Sequence, residues 1–415
     1  MNKDKLAAFY AHELEANFWP FWEKALDEEY GGVYTCFNNE GSELVSTTKY
    51  TWSQGRFLWM VSELYVLADS GIVKLDAARL REIADQTYQY LKTYTLTEDL
   101  HALYALTREG RPIEGQEDIS VYADYFLVLG VNKYAGVFGK PEAFELAKDV
   151  YETIKRRISS GNFRTEPYPI PEGFASHSLS MIQLNVAQEL EAAAKQFASD
   201  YAAVAGYDVK ALLERILYEH TTVDGRIIEL KTAAASEQQQ TLLGRHVNPG
   251  HTLESLWFQL HSLEHWEEQQ QEQIIQKLSQ VAFKAVELGW DKEYGGLLRF
   301  VDLEGGQPSG EKSGDAYEKL IVETWDLKLW WPHSEALYSL LLFYELTGEE
   351  RFMEWYGLFE EYCFRTFPNR DESIREWIQI RDRSGEPLNK VVALPVKDPF
   401  HIVRNFILIV KLLNA

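Results

Sequence analysis

An internal repeat constrains the fold of this chain more than any other feature of its sequence. Residues 3–26 have a helical pattern, a hairpin-like excursion follows, and a second helix begins near Lys49; the same order returns far downstream. When the two segments are superimposed, Lys49 aligns with Lys328 and Trp52 with Trp331. A repeated helix pair cannot bury its apolar face alone, so the repeat predicts an architecture in which such pairs pack side by side.

Weaker copies of this unit fill the rest of the chain and divide its helices into two classes. A helix that is polar on one face belongs on the outside of a fold, whereas one that is apolar almost all round belongs inside. The apolar helices are expected to start near residues 50, 119, 177, 250, 332 and 400. The more polar helices are expected at 3–26, 77–94, 141–159, 207–220, 269–289 and 350–365.

This alternation predicts an all-α (α/α)6 barrel of outer and inner helices, with short hairpins at the active-site end, in a single domain over residues 1–415. The alternative is an open α-solenoid of helix pairs, which would make a binding scaffold. We favour the closed ring because six pairs are enough to close it and because every inner helix begins with polar residues suited to chemistry.

Charge and cysteine content exclude several kinds of partner. The net charge of -23 repels nucleic acid and anionic membranes. No stretch is apolar enough to span a membrane, and no signal peptide is recognisable. Cys36 and Cys363 are too few for a disulfide framework, so we expect a cytoplasmic protein. The high content of Trp and Tyr, 12 and 23 residues, suits a cleft that binds sugars or rings.

If the ring closes, the starts of the inner helices meet at one end and surround a pocket. A Pro-Gly turn delivers His251 and Glu254 onto one face of the fourth inner helix. Several histidines, carboxylates and arginines near Trp side chains suit general acid/base work on a polyhydroxylated substrate. The residues that would converge are Trp52, Arg56, Tyr122 or Asp124, His177, His251, Glu254, Trp330, Trp331, His333, Glu335, His401 and Arg404.

Four motifs, at residues 49–56, 248–254, 328–337 and 399–404, resemble those of the N-acylglucosamine 2-epimerase family, in the right order across nearly the whole chain. The resemblance implies an (α/α)6 barrel that interconverts N-acetylglucosamine and N-acetylmannosamine. It implies no required metal or cofactor. It also allows a homodimer and a nucleotide effector, although no nucleotide site is identifiable in the residues.

The resemblance further implies that His251 and His401 are the acid/base pair and that Arg56 binds the sugar oxygens near C1 and C2. The C2 hydrogen becomes acidic once the ring opens to an aldehyde, and its removal leaves an enediolate. One imidazole would take that proton, and the other would return one to the opposite face. Glu254 is expected to orient His251. Glu335 is expected either to contact the substrate or to be a partner of His333. The residues expected to bind the substrate are Glu254, Glu335, His333, His177, Trp52, Trp331, Arg404, Lys328 and Tyr122.

Two departures from the family pattern bear on the substrate. Residues 396–398 read Val-Lys-Asp where the family more often has Trp-Lys-Gly, which affects the fit around C1. His177 lies where free-sugar isomerases and cellobiose epimerases carry a further histidine. His177 therefore leaves open the alternative that the protein is an aldose-ketose isomerase or a 2-epimerase acting on mannose- or glucose-type sugars or cellobiose. Two further functions fit the residues less well: a glycoside hydrolase using Glu254 and Glu335, and a non-catalytic binding protein.

Overall fold

The computed structural model describes residues 2–233, 236–392 and 394–414, and most of them are helical. All the predicted inner helices are present, and they begin within about two residues of the expected positions. The inner helices are α3 (Thr51–Asp69), α5 (Val121–Phe138), α7 (His177–Gln196), α10 (Pro249–Leu260), α13 (Trp330–Thr347) and α15 (Phe400–Asn414).

The predicted outer helices are also present, and two of them contain a π-helical segment. The outer helices are α1 (Lys3–Glu13), continued through Leu14–Phe18 into α2 (Trp19–Lys24), then α4 (Ala77–Tyr94), α6 (Pro141–Ser159), α8 (Tyr201–Arg215) with Ile216–His220, α11 (Glu268–Gly289) and α14 (Glu350–Thr366). The loops hold two further helices that were not predicted, α9 (Leu242–Arg245) and α12 (Ala316–Thr324), with short 3-10 segments at Glu237–Gln240 and Leu263–His265.

The inner helices form a closed ring. Each packs on the next in chain order, from α3 to α5, α7, α10, α13 and α15, and α15 packs back on α3. The outer helices pack against the inner ones, as α4 does on α3 and α14 on α13. The (α/α)6 barrel is therefore confirmed and the open solenoid is excluded. None of the helices in the described part of the chain is long and apolar enough to cross a membrane.

The two classes of helix differ in burial as their sequences predict. In α5 nearly every side chain from Val121 to Ala135 is buried, including polar ones such as Asp124. In α4 the buried residues Leu80, Ile83, Thr87 and Leu91 recur every three or four positions and leave the other face to solvent. A helix buried all round must lie inside the ring, so burial explains why apolar and amphipathic helices alternate.

Four short antiparallel strand pairs tie the loops together at one end of the ring, and the sequence did not predict these pairings. Each strand pair joins the loop that leads into one inner helix to the loop that leads into the next, and these loops form a rim at this end of the ring. The pairs are Lys49–Tyr50 (β1) with Ala105–Leu106 (β2), Ala175–Ser176 (β3) with Leu230–Lys231 (β4), His246–Val247 (β5) with Val301–Asp302 (β6), and Lys328–Leu329 (β7) with Ile380–Arg381 (β8).

The two strongest copies of the repeat share a buried ion pair. Lys49 donates from Nζ to Asp27 Oδ2 at 2.8 Å, and Lys328 donates to Asp291 Oδ2 at 3.0 Å. All four side chains are almost completely excluded from solvent. A buried charge is tolerated only when it is paired, so each lysine fixes the turn that precedes its own inner helix. The superposition of Lys49 on Lys328 therefore reflects a shared structural contact.

Close contact between α3 and α5 depends on two glycines. A Cβ atom on Gly55 would lie 2.1 Å from the carbonyl oxygen of Phe126, and one on Gly130 would lie 2.1 Å from the carbonyl oxygen of Gly55. Both contacts are to backbone, which cannot swing aside as a side chain can. The glycines therefore set how closely the first two inner helices approach.

We expect Gly130→Ala to lower the free energy of unfolding by about 1–3 kcal/mol, the usual cost of overpacking a core. The measurement is urea unfolding followed by circular dichroism. Gly357→Ala is the matched control, because Gly357 lies in the outer helix α14 and an added Cβ meets nothing within 4 Å. That variant should be neutral or gain up to about 1 kcal/mol from helix propensity. Equal stability changes in the two variants would contradict the close-contact interpretation.

Candidate active site

A cavity of about 1080 Å³, measured with its open mouth, lies where the inner helices begin. Its walls combine the first turns of inner helices with the rim loops. The charged and titratable residues that line it are Arg56, Glu229, His251, Glu254, Arg299, Asp398 and His401, and the predicted residues Trp52, Tyr122 and Trp331 line it as well. The structure therefore brings together eight of the residues that the sequence placed in one pocket: Trp52, Arg56, Tyr122, His251, Glu254, Trp330, Trp331 and His401.

His251 stands in the first turn of α10, where its position is fixed by both backbone and side chain. Asn248 caps the helix by accepting a hydrogen bond from the His251 backbone N–H at 3.2 Å, and Pro249 occupies the first turn. The imidazole Nδ1 lies 2.9 Å from Glu229 Oε1. A carboxylate can only accept, so Nδ1 carries the proton and Nε2 is the nitrogen available to the cavity.

His401 stands in the first turn of α15 and is held in a similar way. Its Nδ1 lies 2.7 Å from Glu335 Oε1 on α13. Glu335 is completely buried, and its second oxygen accepts from the indole Nε1 of Trp257 at 2.8 Å. The imidazole is therefore fixed with Nε2 free for chemistry, as in His251.

The indole of Trp331 links the two imidazoles. Its ring centroid is 5.2 Å from that of His251 and 5.4 Å from that of His401. Trp331 also lines the cavity. The two histidines therefore border one region of the cavity, with an aromatic surface beside both of them.

Arg404 is predicted to bind substrate, but the structure places it behind the cavity wall as a bridge between carboxylates. It is almost fully buried and donates from Nη2 to Oε1 of both Glu254 and Glu335, at 2.7 Å in the second case. Glu254 therefore does not orient His251, and Glu335 neither contacts the cavity nor partners His333. Glu229 holds His251, and Glu335 holds His401.

One group of side chains offers a donor set for a metal ion. Ligand atoms of Glu254, Glu335 and His401 lie within 4.8 Å of one another, and no other such group occurs among the described residues. The guanidinium of Arg404 already bridges the two carboxylates. A cation at this place would have to compete with that fixed positive charge, so the donor set does not suit a resident metal.

Arg56 lies on the cavity wall within an aromatic cage and is paired with a carboxylate. Its guanidinium donates to Asp398 Oδ2 and lies 3.9 Å from the ring centroid of Phe126 and 5.0 Å from that of Trp52. Asp398 belongs to the run that departs from the family pattern. The departure therefore introduces a carboxylate that sets the position and charge of Arg56.

His333 and Lys328, both predicted to bind substrate, lie outside the cavity. The His333 ring donates from Nδ1 to the Leu329 carbonyl at 2.6 Å, and its Nε2 accepts from the Leu297 backbone N–H at 2.8 Å. Burial lowers the pKa of this histidine to about 3. Lys328 is committed to its buried pair with Asp291. Both side chains hold the hairpin before α13, and neither lines the cavity in which we expected them to bind substrate.

His177 is also buried and does not line the cavity. Its Nε2 lies 3.1 Å from Ser255 Oγ, and its Nδ1 lies 3.6 Å from Glu229 Oε2. Its neighbour Ser178 is on the cavity side, where it bonds to the Tyr122 hydroxyl at 2.9 Å. His177 therefore supports Glu229 from behind and is not placed to touch a ligand.

The two cavity histidines have opposite pKa shifts. Burial lowers the pKa of His401 to about 3; the charge of Glu254 acts to raise it, and the positive charges of Arg56 and Arg404 act to lower it. Burial also acts to lower the pKa of His251, but the charge of Glu229 and its hydrogen bond raise the pKa above its ordinary value. His401 is therefore neutral near neutral pH, whereas His251 keeps its proton to a higher pH than an ordinary histidine does, and this difference suits a base beside an acid.

The sequence missed three charged residues of the cavity. Glu229 comes just before β4, and only the β3–β4 pairing brings it near His251. Arg299 lies in the loop before β6, and Asp398 precedes α15. Asp398 was visible as a departure within a motif, but no spacing or periodicity marked Glu229 or Arg299 as cavity residues.

Comparison with known proteins finds a family model and several relatives that match most of this chain. A model of the family described as "N-acylglucosamine 2-epimerase (GlcNAc 2-epimerase)" matches residues 32–404. The N-acylglucosamine 2-epimerase of Mus musculus is 28% identical over 410 residues, which cover 95% of this chain and 89% of the mouse protein.

Solved structures share the fold. The cellobiose 2-epimerase of Spirochaeta thermophila superposes with a TM-score of 0.78 at 17% identity, over 99% of this chain and 97% of the other. A D-mannose isomerase superposes with a TM-score of 0.75 at 16% identity, over 99% of both chains.

The pKa of His251 provides a direct test of this site. We expect Glu229→Gln to lower it, because the substitution removes the negative charge that stabilises the imidazolium while keeping the side-chain size. Titration of the histidine ring resonances by NMR measures the change. Glu219→Gln is the control, since Glu219 is exposed on the outer surface and should leave the titration unchanged. An unaltered His251 pKa in Glu229→Gln would show that Glu229 does not set its charge.

Proposed function

The chain belongs to the N-acylglucosamine 2-epimerase family, and we propose that it is an isomerase that interconverts N-acetylglucosamine and N-acetylmannosamine by proton transfer at C2. One observation supports this most strongly. His251 and His401 border the same region of the cavity, and each has its Nδ1 bound to a buried carboxylate, so both Nε2 atoms are available for proton transfer.

The chemistry of inversion at C2 requires two such groups. Once the sugar ring opens, the C1 aldehyde makes the C2 hydrogen acidic, and a base can remove it to leave an enolate, or an enediolate when C2 carries a hydroxyl. A second group must then deliver a proton to the other face. In one direction His401, whose lowered pKa keeps it neutral, takes the proton, and His251, whose pKa is raised, supplies one. In the reverse direction the roles exchange.

Arg56 is the group that would stabilise the anionic intermediate. Its guanidinium lines the cavity near His401 and is held in its present position by Asp398 and three aromatic rings. A fixed donor beside a developing negative charge contributes without reorganising during the reaction. Glu254 shares this part of the cavity and would contact sugar hydroxyls, together with Trp52, Trp331 and Tyr122.

An aldose-ketose isomerase and a glycoside hydrolase receive less support from the geometry. His177 favoured the isomerase, but it lies behind the cavity wall. A glycoside hydrolase needs two carboxylates with a glycosidic bond between them, whereas Glu254 and Glu335 are both bridged by Arg404. The epimerase proposal uses both histidines and leaves neither without a role.

We extend the proposal to the setting of the enzyme. The reaction transfers only protons, so the two imidazoles and Arg56 supply its chemistry without a cofactor. The two cysteines are buried and unpaired, which suits a reducing cytoplasm. A homodimer and a nucleotide effector remain predictions from the family resemblance.

The proposed reaction is tested with N-acetylmannosamine, mannose and cellobiose in deuterated water, followed by NMR at C1 and C2. We expect deuterium at C2 and an aldose product with N-acetylmannosamine, because the returned proton comes from an imidazole that exchanges with solvent. A ketose product would instead support the isomerase. No exchange in any of the sugars would exclude both reactions.

Substitution of either imidazole should remove turnover. We expect His401→Ala and His251→Ala each to lower kcat by about 10²-fold to 10⁴-fold, the usual contribution of general acid/base catalysis. His12→Ala is the control, since His12 is exposed on α1. Circular dichroism checks that the variants remain folded. Appreciable activity in a folded His401→Ala variant would remove this residue from the acid/base pair.

The pH dependence should follow the two pKa shifts. Turnover requires that the pair carry one proton, so the rate should fall as pH rises past the raised pKa of His251. It should persist well below pH 6.5 because His401 has a pKa of about 3. In Glu229→Gln the alkaline limb of kcat/KM should move to lower pH, since the imidazolium loses its partner. A limb that stays in place would contradict the assignment of His251 as the protonated member.

A further inference from the structure

One charged side chain on the cavity wall has no opposite charge beside it. Arg56 pairs with Asp398, Arg404 pairs with Glu254, and Glu229 bonds to His251. Arg299 is 7% exposed and lines the same cavity. No carboxylate in the described residues lies within 4.0 Å of its guanidinium, which is the limit for an ion pair. Its guanidinium therefore makes no contact ion pair among the described residues, although the Glu229 carboxylate acts on the same neighbours, His251 and Tyr317.

The partners of Arg299 are all neutral. Nη1 donates to Thr324 Oγ1 at 3.0 Å, and Nη2 lies 3.2 Å from the Tyr168 hydroxyl and 3.3 Å from the Val392 carbonyl oxygen. The Phe300 ring centroid is 4.9 Å from the guanidinium carbon. These contacts satisfy hydrogen-bonding capacity and fix the group in place, but they supply no negative charge.

Arg299 also lies in a part of the cavity whose surface is mainly apolar. Its lining neighbours there are Tyr168, Pro169, Phe300, Tyr317 and Val392. Arg299 contributes to the pKa of His251, whereas the main charges that act on His401 are Glu254, Arg56, Arg404 and Asp398. Its hydrogen-bond partners Thr324, Tyr168 and Val392 are not those of Arg56, which is held by Asp398 and Phe126, so the two guanidinium groups occupy different parts of the cavity wall. Burying an unpaired cation among apolar groups is costly, and an anionic ligand group would offset that cost.

We propose that Arg299 forms an anion subsite, so that the substrate is an N-acylated amino sugar carrying a carboxylate or phosphate remote from C1 and C2. The guanidinium offers paired N–H donors that match the oxygens of either group. This inference rests on the proposed epimerase function and specifies its substrate class. A subsite of this kind selects the substrate through charge at the far end of the sugar, while the imidazoles act at C2.

The competing interpretation is that Arg299 only ties loops together. It joins the end of α12 to the loops that carry Tyr168 and Val392. A purely structural tie would affect neutral and anionic sugars equally, whereas an anion subsite affects only the anionic ones. The ratio of kcat/KM between the two kinds of sugar therefore separates the interpretations.

The experiment compares N-acetylmannosamine with its 6-phosphate and with the corresponding 6-carboxylate, N-acetylmannosaminuronic acid. The variants are Arg299→Met and Arg299→Lys, with Tyr168→Phe, which keeps the cation but removes one neutral partner. Arg370→Met is the control, since Arg370 is exposed. We expect the wild-type protein to prefer one of the anionic sugars by about 10-fold to 100-fold, as charge-assisted hydrogen bonds of this kind allow.

In Arg299→Met the ratio of kcat/KM between the anionic sugar and N-acetylmannosamine should fall to about one, whatever the change in N-acetylmannosamine turnover itself. Arg299→Lys should keep part of the preference, and Tyr168→Phe and Arg370→Met should keep most of it. Whichever anionic sugar, the 6-phosphate or the 6-carboxylate, is preferred more strongly over N-acetylmannosamine identifies the group that the subsite binds. If Arg299→Met does not fold, Arg299→Lys provides the test of the subsite. Lysine lacks the bidentate donor, so it should lower the ratio of kcat/KM between the anionic sugar and N-acetylmannosamine.

The inference and the proposed function fail in distinguishable ways. If the wild-type protein converts N-acetylmannosamine and prefers it to both anionic sugars, the anion subsite is wrong and the epimerase function stands. If no sugar is converted, the epimerase function is wrong, and saturation-transfer NMR with the 6-phosphate decides the subsite. Binding to wild type that is lost in Arg299→Met would support the subsite, and equal binding or none would overturn it.

Discussion

The bridge that Arg404 makes between Glu254 and Glu335 is the interaction on which the site most depends. It joins α15 to both α10 and α13, so it connects three of the inner helices at the level of the cavity. All three side chains are almost fully buried, and loss of the arginine would leave two carboxylates without a counter-charge in the protein interior. Because Glu335 also holds His401, the contact that fixes the helices relative to one another also orients one imidazole.

The barrel was predictable because its signal is periodic, and the same repeat explains why His333 and Lys328 have structural contacts. The alignment of the two copies also places Gln54 on His333 and Arg56 on Glu335. Gln54 accepts from the Val33 backbone N–H at 2.9 Å, and His333 accepts from Leu297 at the equivalent place. A pair that is equivalent in both copies serves the architecture that both copies share. A pair that differs in charge, such as Arg56 and Glu335, was the better indicator of chemistry, and both residues belong to the site or its support.

The residues that the sequence could not identify are those brought in by the rim loops. Glu229 reaches His251 because Leu230 pairs with Ser176 in the β3–β4 register, and a two-residue strand leaves no alternation to read. Arg299 reaches the cavity through contacts with Thr324 and Val392. Such contacts between distant loops leave no local periodicity in the sequence. The starts of the inner helices could therefore be aligned from the sequence, but the loop residues that act on the side chains at those starts could not be identified.

The opposite pKa shifts of His251 and His401 show how such tuning works, since both imidazoles donate from Nδ1 to a buried carboxylate. Burial acts to lower both pKa values, and the difference lies in the charges around each ring. Glu335 shares its charge with Arg404, and Arg56 adds further positive charge near His401. Glu229 has no lysine or arginine partner within ion-pair distance in the part of the chain described, so its full charge acts on His251. One motif therefore yields a neutral base in one place and, in the other, an imidazole that keeps its proton to higher pH, and a reaction that removes and returns a proton needs both.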